Sequence, residues 1–382
     1  MTEWLKSNEA LARLGVRSQT LYAYVSRGRV RAEPDPGDPR RSRYRASDIA
    51  ALTTRKARGR KAADVAADAI AWGEPVLDSA ITTVAEGRLY YRGRDAALLA
   101  ETETLESVAR LLRGGAGAAA RRVLRPAPPA TENMRARAFA ALAVRAAEAP
   151  PARGMAEADL ADEAALLLDI LADAFTGQVG GGPIHERLGL AWGCGRTSQD
   201  LIRRTLVLMA DHELNPSTFA CRVAASTGAS LAACALAGLA TLSGPLHGGA
   251  VAGVGRLAEE AERLGPDEAV AARLAHGLTA PGFGHPLYPD GDPRAAALMR
   301  AFAAPPPLAA LRQAVESATG AHDNVDFALW ALTSALKLPP DAPFALFATA
   351  RCAGWTAHAM EQVAAGGPIR PRARYAGAAP ES

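Results

Sequence analysis

The residues best suited to chemistry lie in one short segment, residues 282–294, which reads GFGHPLYPDGDPR. Glycines on both sides of Phe283 allow the backbone to approach a bound ligand, and they place the imidazole of His285 at the tip of a turn. Nine residues later, Arg294 offers a planar guanidinium suited to a carboxylate. The same pattern also fits a surface loop and a helix that begins at Asp292-Pro293, with the Asp as its cap.

Two further histidines lie upstream of this segment. The stretch DHELNPSTFACRVAAST, residues 211–227, puts His212 and Asn215 three residues apart, which places them on one face if the stretch is helical. No second histidine follows four positions later, as a zinc-binding helix of the zincin type requires, so we expect His212 to form hydrogen bonds rather than to bind a metal. His247 lies between glycines in SGPLHGGA and is predicted on a tight turn, either with a tautomer set by the backbone or as a satisfied turn histidine.

A carboxylate and two arginine segments complete the candidate residues. In NVDFALWAL, residues 324–332, Asp326 has apolar neighbours, so it is either a helix cap or a base whose pKa is raised by burial. Arg351 precedes an apolar helix that contains Trp355, His358 and Met360. Arg370, Arg372 and Arg374 lie on a Pro-broken tail, and such a basic tail is usually solvated.

The elements that must position these residues are predicted to be helices. The chain has 382 residues, enough for two or three domains, and it is 49% hydrophobic and 5% aromatic. Its Ala-, Leu- and Gly-rich stretches have helical periodicity, which predicts an all-α body, with one short hairpin around Gly87 in LDSAITTVAEGRLYYRGRD. Four widely spaced cysteines indicate a reducing compartment and no zinc site. The start MTEWLKSNEA has no apolar signal core, so we expect a soluble, cytoplasmic protein without a membrane segment.

The N-terminal region has a different character, because residues 1–61 carry 15 Lys and Arg against 6 Asp and Glu. Ser7 is predicted to cap one short helix and Ser18 a second helix with Leu21, Tyr22 and Val25, which together make a helix-turn-helix. A turn-rich hairpin or wing follows, whose arginines can meet DNA phosphates, and then a helix capped by Ser47. The four wing arginines are Arg40, Arg41, Arg43 and Arg45. The alternative is a module for protein interaction or dimer support that does not bind DNA.

Residues 9–30, EALARLGVRSQTLYAYVSRGRV, resemble the winged helix-turn-helix of MerR and excisionase-type proteins. Farther along the chain, five stretches in this order resemble the citrate synthase family. They are GRLYYRGRD, DHELNPSTF, GPLHGGA, GFGHPLYPDGDPR and the C-terminal set NVDF, RCAGWTAHAMEQ and RPRARY.

The combined resemblance implies a winged helix-turn-helix domain at 1–60 and a basic linker with the first body helix at 61–75. It implies a citrate synthase-like large domain at 76–248 and 338–382 and a small domain at 249–337, in a homodimer or higher oligomer.

The resemblance to citrate synthases also implies a reaction, the condensation of acetyl-CoA with oxaloacetate, and roles for individual residues. Asp326 is the expected base, His247 donates to the thioester carbonyl, and His285 polarises the ketone. The dicarboxylate is held by His212, Arg294, Arg351 and, from a neighbouring subunit, Arg370. Leu246, Gly282, Gly284 and Asn324 are expected to contact CoA, which takes part as substrate, and no further cofactor or metal is implied.

Departures from the family pattern keep other functions open. Pro286 and residues 289–291 stand where many members carry basic residues, Val251 replaces a usual Asn, and the segment from about 95 to 165 is short. One alternative is a 2-methylcitrate synthase that uses propionyl-CoA. The other is a DNA-binding regulator whose body senses a carboxylate or an acyl-CoA.

Overall fold

The computed structural model describes residues 4–14, 21, 24–25, 30–50, 77–115, 125–373 and 375–378. By contacts it divides into two compact units, Met1–Asp78 and Ser79–Ser382. The structure is 60% helix and 7% strand, which confirms the prediction of a mainly α-helical protein. In the part of the chain that the structure describes, no helix is both long and apolar enough to cross a membrane.

The N-terminal unit contains a small antiparallel sheet. Its elements are β1 (Trp4–Lys6), α1 (Ser7–Leu14), β2 (Ala32–Asp35) and β3 (Asp38–Arg45), and the strand order is β1-β3-β2. The predicted hairpin is therefore present as β2 and β3. Residues 46–50 are helical. The core of the unit includes Leu5, Leu14, Leu21, Tyr44 and Ile49.

Ser7 is already the first residue of α1, so the residue before the helix is Lys6 and the predicted cap at Ser7 is wrong by one position. The backbone N–H of Lys6 donates to the Glu9 carboxylate at 2.9 Å. Ser47 is the second residue of the helical segment 46–50, and its capping role stays a prediction. Most of the predicted second helix, including Ser18 and Tyr22, and the linker at 61–75 lie outside the described residues. The helix-turn-helix and its DNA binding therefore stay predictions.

The second unit opens with a three-stranded meander of β4 (Thr82–Ala85), β5 (Arg88–Tyr91) and β6 (Arg94–Asp95). Glu86 and Gly87 form the first turn, both with positive φ, at 50° and 70°. Two successive turn residues with positive φ match the right-handed twist of the strands that the turn joins. The predicted hairpin around Gly87 is confirmed.

The rest of the unit is helical. Its helices are α2 (Ala96–Thr102), α3 (Leu105–Leu112), α4 (Met134–Glu148), α5 (Glu157–Thr176), α6 (Ile184–Ala191), α7 (Arg196–Leu208), α8 (Pro216–Ser226), α9 (Leu231–Leu242), α10 (Val251–Leu264), α11 (Pro266–Ala275), α12 (Pro293–Met299), α13 (Pro306–Thr319), α14 (Val325–Leu336) and α15 (Ala342–Ala365). Helix α15 is buried along most of its length, and α3, α5, α7, α8 and α9 pack around it. A helix that is apolar on all sides belongs in such a central position.

A second, smaller apolar core lies among α10, α11, α13 and α14. Its buried members Val254, Leu311 and Phe327 all fall within the region predicted as a small domain, residues 249–337. Side chains of α12 and the other face of α14 belong to the main core. The boundary between a large and a small domain stays a prediction, because contacts group residues 79–382 as one unit.

Candidate active site

The glycine-rich segment pairs with the chain that leads into α14. Phe283 forms an antiparallel bridge with Asp323, and the N–H of Gly284 donates to the carbonyl of His322 at 2.8 Å. Gly282 has φ 85°, and a Cβ there would lie 2.7 Å from Cγ2 of Val254. Only glycine fits both the backbone conformation and the space. The two stretches are thereby locked together, so that the loop carrying His285 lies beside the start of α14.

Asn324, not Asp326, caps α14. Its side-chain oxygen accepts from the N–H of Asp326 at 3.0 Å, while its amide donates to the carbonyl of Gly284 at 3.0 Å. The cap interpretation of Asp326 is therefore wrong. Its half-buried carboxylate forms no hydrogen bond with any described residue. Burial raises the pKa of Asp326 to about 6, although the positive charges of Arg294 and Arg351 oppose the shift. A carboxyl in this state is ionised at neutral pH yet is a stronger base than usual.

Arg294 is held by a carboxylate of its own segment. Asp292 caps α12, as predicted, and accepts from Nε and Nη2 of Arg294 at 2.9 and 2.7 Å. The Asp292 carboxylate also accepts from the N–H of Val325 at 3.0 Å, which ties α12 to α14. Burial disfavours the charged guanidinium, but Asp292 outweighs this and raises the pKa of Arg294. The arginine therefore stays charged, with Nη1 left unused by the described residues.

Two of the three candidate histidines meet at Tyr288. Nε2 of His212 lies 2.9 Å from the Tyr288 hydroxyl, and the rings of His212 and His285 are nearly perpendicular, with centroids 5.3 Å apart. The N–H of Leu287 donates to Nδ1 of His285 at 3.1 Å, so the neutral ring carries its proton on Nε2. The prediction that His212 forms hydrogen bonds is confirmed.

Both of these histidines are neutral at physiological pH. Burial, helped by the nearby Arg294, lowers the pKa of His285 to about 4. For His212, burial and the charges of Arg294 and Arg351 lower the pKa well below its usual value. Each neutral ring can donate one hydrogen bond without adding a positive charge.

The segment around His212 is a turn and not a helix, so the condition under which His212 and Asn215 would share a helix face is not met. Helix α8 begins only at Pro216, with Asn215 as its cap. Glu213 has φ 50°, which is uncommon for a residue with a side chain, and its carboxylate accepts from the N–H of Val84 in β4 at 2.8 Å. Pro216 and the Asn215 cap explain the late helix start, because Pro suits the first helical turn.

His247 lies directly before a short 3₁₀ turn, Gly248–Ala250, between α9 and α10. Its Nε2 is 2.9 Å from the hydroxyl of Ser217, and the indole N–H of Trp355 donates to the Ser217 oxygen at 3.1 Å. Burial and the charge of Arg351 lower the pKa of His247 to about 4. The predicted position on a turn at an element boundary is confirmed, and the ring is neutral.

Arg351 projects from the middle of α15. Its Nε donates to the carbonyl of Met209 at 3.1 Å, and its guanidinium lies 4.9 Å above the ring centre of Phe347. Burial lowers the pKa of Arg351 to about 10, partly offset by the charge of Asp211. The arginine is therefore charged at neutral pH.

Two of the predicted site residues stand apart from this group. Leu246 is 99% exposed, and Arg370 is exposed on the segment after α15. The N–H of Ile369 donates to the Ser226 hydroxyl at 3.0 Å, which anchors the start of that segment on α8.

Several participating residues did not stand out in the sequence. Tyr288 lies three residues after His285 in the glycine-rich segment, and its closeness to His285 in the sequence could have marked it as a site residue. Ser217 and Trp355 are 138 residues apart, so no local pattern links them.

The acidic residues on either side of His212 have other partners. His358 Nε2 lies 3.1 Å from Asp211, whereas Glu213 bonds to a backbone N–H of β4. Throughout the described part of the chain, no three His, Cys, Asp or Glu side chains are grouped to hold a metal ion.

Comparison with known proteins gives consistent matches. Residues 70–372 match the family model described as citrate synthase, C-terminal domain. A putative citrate synthase 2 of Mycobacterium tuberculosis is 38% identical over 191 residues, which is 46% of this chain and 51% of that protein. A citrate synthase of Haloferax volcanii is 38% identical over 45% of this chain and 48% of that protein. A 2-methylcitrate synthase 2 of Corynebacterium glutamicum is 34% identical over 46% of this chain and 48% of that protein. The chain thus spans about half the length of the curated relatives it matches.

Solved structures match over more of the chain. Citrate synthase from Pyrobaculum aerophilum superposes with a TM-score of 0.67 at 26% identity, over 81% of this chain and 92% of that chain. Citrate synthase from Thermotoga maritima superposes with a TM-score of 0.65 at 26% identity, over 81% of this chain and 96% of that chain. A Thermoplasma acidophilum citrate synthase, described as a ternary complex with carboxymethyl coenzyme A and oxaloacetate, gives 0.64 over 81% and 95%, and at 23% identity it bears on the fold alone. Since the family model covers most of the sequence, the chain belongs to the citrate synthase family.

Proposed function

We propose that this protein condenses acetyl-CoA with oxaloacetate to give citrate and free CoA. The observation that carries the proposal is the state of Asp326, a carboxyl group with a pKa of about 6 and no hydrogen-bond partner among the described residues. It is near enough to Arg294 and Arg351 for their charges to act on it. A carboxylate whose pKa lies just below neutral pH is ionised and also basic enough to help remove a weakly acidic proton.

The first step is loss of a methyl proton from acetyl-CoA to Asp326. Because a thioester methyl is a very weak acid, charge that develops on the carbonyl oxygen needs a hydrogen-bond donor at the same moment. His247 supplies this donor. Its lowered pKa keeps the ring neutral, so the ring has a single N–H. For that N–H to reach the thioester carbonyl, the Ser217 hydroxyl donates to Nε2, which leaves the ring proton on Nδ1.

The second step forms the carbon–carbon bond. The nucleophilic methylene carbon attacks the ketone carbon of oxaloacetate, and His285 donates to the ketone oxygen as that oxygen gains negative charge. The proton on Nε2 of His285 is available because the backbone N–H of Leu287 already occupies Nδ1. Water then cleaves the thioester and releases CoA.

The two carboxylates of oxaloacetate are bound by His212, Arg294 and Arg351. His212 contacts the Tyr288 hydroxyl, and the guanidinium of Arg294 lies 5.6 Å from the centre of the Tyr288 ring. Each arginine has an internal counter-charge, Asp292 for Arg294 and Asp211 for Arg351. Binding a dianion therefore calls for further positive charge. Arg370, exposed on the segment after α15, provides it from a second copy of the chain, so the functional state is a homodimer. Leu246, Gly282, Gly284 and Asn324 contact CoA, and the 99% exposure of Leu246 leaves it open to such a contact.

Propionyl-CoA is the alternative acyl donor, since the relatives include proteins named citrate synthase and 2-methylcitrate synthase. One extra methylene changes the selectivity of an apolar pocket by only about 1–3 kcal/mol. The experiment is a thiol-release assay with acetyl-CoA and propionyl-CoA against a panel of 2-oxo acids. We expect CoA release from acetyl-CoA only when oxaloacetate is present. Binding of oxaloacetate without CoA release would instead favour the regulator, whose body senses a carboxylate.

We further propose that residues 1–60 bind DNA. The support is the excess of positive charge over residues 1–61 and the hairpin of β2 and β3. Arg43 is already paired with Glu33 at 2.7 Å and Arg31 with Asp48, which reduces the charge free for phosphates. The side chains of Arg40 and Arg41 lie outside the described residues. Fluorescence anisotropy on genomic fragments should show affinity that falls steeply with salt and is lost when residues 1–61 are deleted. Equal binding without them would exclude this role.

A further inference from the structure

Four polar side chains behind the candidate site form one continuous hydrogen-bonded network, Asp211–His358–Arg222–Glu361. His358 Nε2 lies 3.1 Å from Oδ2 of Asp211, and His358 Nδ1 lies 3.2 Å from Nη1 of Arg222. The same Nη1 donates to Oε2 of Glu361 at 2.6 Å. Asp211, His358 and Arg222 are buried, and the Glu361 side chain is 22% exposed. None of the four is proposed to contact a substrate, although Asp211 is the counter-charge of Arg351.

The direction of the hydrogen bonds follows from the chemistry of arginine. A guanidinium can only donate, so Nδ1 of His358 accepts and the ring proton lies on Nε2. His358 therefore donates to Asp211, whose carboxylate is completely buried. Among the described residues the second oxygen, Oδ1, has no hydrogen bond of ordinary geometry, while Thr82 and Arg351 are close enough to act on the carboxylate. The hydrogen bond from His358 is therefore a main support of this buried charge.

Asp211 lies directly before His212, and three residues of α15 form hydrogen bonds with residues 209–211. Nε of Arg351 donates to the carbonyl of Met209, and the N–H of Gly354 donates to the carbonyl of Ala210 at 3.0 Å. His358 then holds the Asp211 carboxylate. Residues 351, 354 and 358 are spaced three and four apart, so they share one face of the helix.

Gly354 makes the approach possible, because a Cβ there would lie 2.2 Å from Oδ1 of Asp211. The segment that carries His212 is therefore fitted against the same helix face that carries Arg351. The geometry of these two oxaloacetate-binding side chains relative to each other depends on the docking of Asp211.

We propose that His358 and Arg222 are positioning residues for oxaloacetate: through Asp211 they hold His212 in register with Arg351. This inference rests on the proposed function, and it predicts that damage to the network affects the 2-oxo acid far more than the acyl-CoA. A network that serves only to stabilise the fold would show no such selectivity.

The test compares His358→Leu, which removes the donor, with His358→Gln, whose amide N–H can still donate to Asp211. For His358→Leu we expect the KM for oxaloacetate to rise at least about tenfold, as loss of a hydrogen bond to a buried charge implies, while the KM for acetyl-CoA stays within about twofold. His358→Gln should restore most of the affinity. Phe344→Leu, a core change in the same helix, is the control for simple loss of stability and should alter neither KM.

Three outcomes overturn the inference: an unchanged KM for oxaloacetate in His358→Leu, equal changes in both KM values, or no recovery in His358→Gln. If His358→Leu does not fold, Glu361→Gln decides, because it removes the charge that holds Arg222 at the more exposed end of the network. We expect its KM for oxaloacetate to rise about threefold, and no change would overturn the proposal.

Wild-type thiol release tests the proposed function separately. An inactive wild type that binds oxaloacetate would refute the reaction, and the same variants would then be compared by calorimetric Kd. A wild type that neither turns over nor binds oxaloacetate would overturn both.

Discussion

Replacement of Asp326 by Asn is expected to abolish activity and, at neutral pH, to stabilise the protein. The physical reason is burial, which raises the pKa of Asp326 from 3.8 to about 6. A group whose pKa is raised on folding binds its proton more tightly in the folded state, so its ionisation lowers the free energy of unfolding as the pH rises from about 4 to 6. Asn has the same shape without the charge, and it removes this cost.

The magnitude follows from the shift in pKa. A difference of about two units corresponds to about 3 kcal/mol at pH 7, where Asp326 is charged in both states. At pH 5 the folded protein is mostly protonated at this site, and the gain falls to about half of that value. Partial exposure of the side chain reduces both values by solvent screening. We expect turnover to fall by orders of magnitude, since the carboxylate is the proposed base.

The measurement is denaturant unfolding of wild type and Asp326→Asn at pH 7 and pH 5, together with thiol release at pH 7. Oxaloacetate affinity, measured by calorimetry, should change little because the carboxylate acts on the other substrate. A variant that is less stable than wild type at pH 7, or equally stabilised at both pH values, would refute the argument from burial. Near-normal turnover would show that Asp326 is not the base.

Four other outcomes are expected. The rate constant kcat/KM should fall about tenfold between pH 7 and pH 5 with an apparent pKa near 6, because Asp326 must be ionised; a profile flat down to pH 4.5 would contradict this. Tyr288→Phe should raise the KM for oxaloacetate about fivefold to tenfold by removing the hydroxyl that contacts His212, with the KM for acetyl-CoA as the internal control. Gly354→Ala should destabilise the fold by about 3 kcal/mol or more in denaturant unfolding, because its Cβ would overlap the Asp211 carboxylate; wild-type stability would show that the helix can move away. Mixing an Arg370→Ala chain with an Asp326→Asn chain should restore activity in purified heterodimers if sites are shared between subunits, and no recovery would argue against sharing.

Residues with a role in the proposed site were recognisable where the chemistry is local. The glycines around Phe283, the cap at Asp292 and the turn at His247 each depend on a few neighbouring residues, and the structure bears out all three. The helical periodicity of the body and the hairpin at Gly87 were predictable for the same reason. The order of the motifs was sufficient to indicate the family.

Predictions failed where a short pattern had two local solutions. Asp326 and Asn324 both resemble helix caps, and the amide of Asn324 takes the position because it also bonds to the carbonyl of Gly284. The turn at residues 211–215 resembled the start of a helix, but Glu213 adopts a positive φ and bonds to β4 instead. In both cases a partner distant in sequence decided the local conformation.

The sequence by itself determined which side chains are available for the proposed reaction and which elements carry them, because caps, turns and periodicity are properties of neighbouring residues. Only the tertiary structure decided their protonation states and partners. The pKa values of Asp326 and His285 depend on burial and on the charge of Arg294. Ser217 meets Trp355, and Asp211 meets His358, across more than 130 residues. Burial and long-range contacts arise only when helices pack, because desolvation and Coulomb energy depend on distance in space and not on position in the chain.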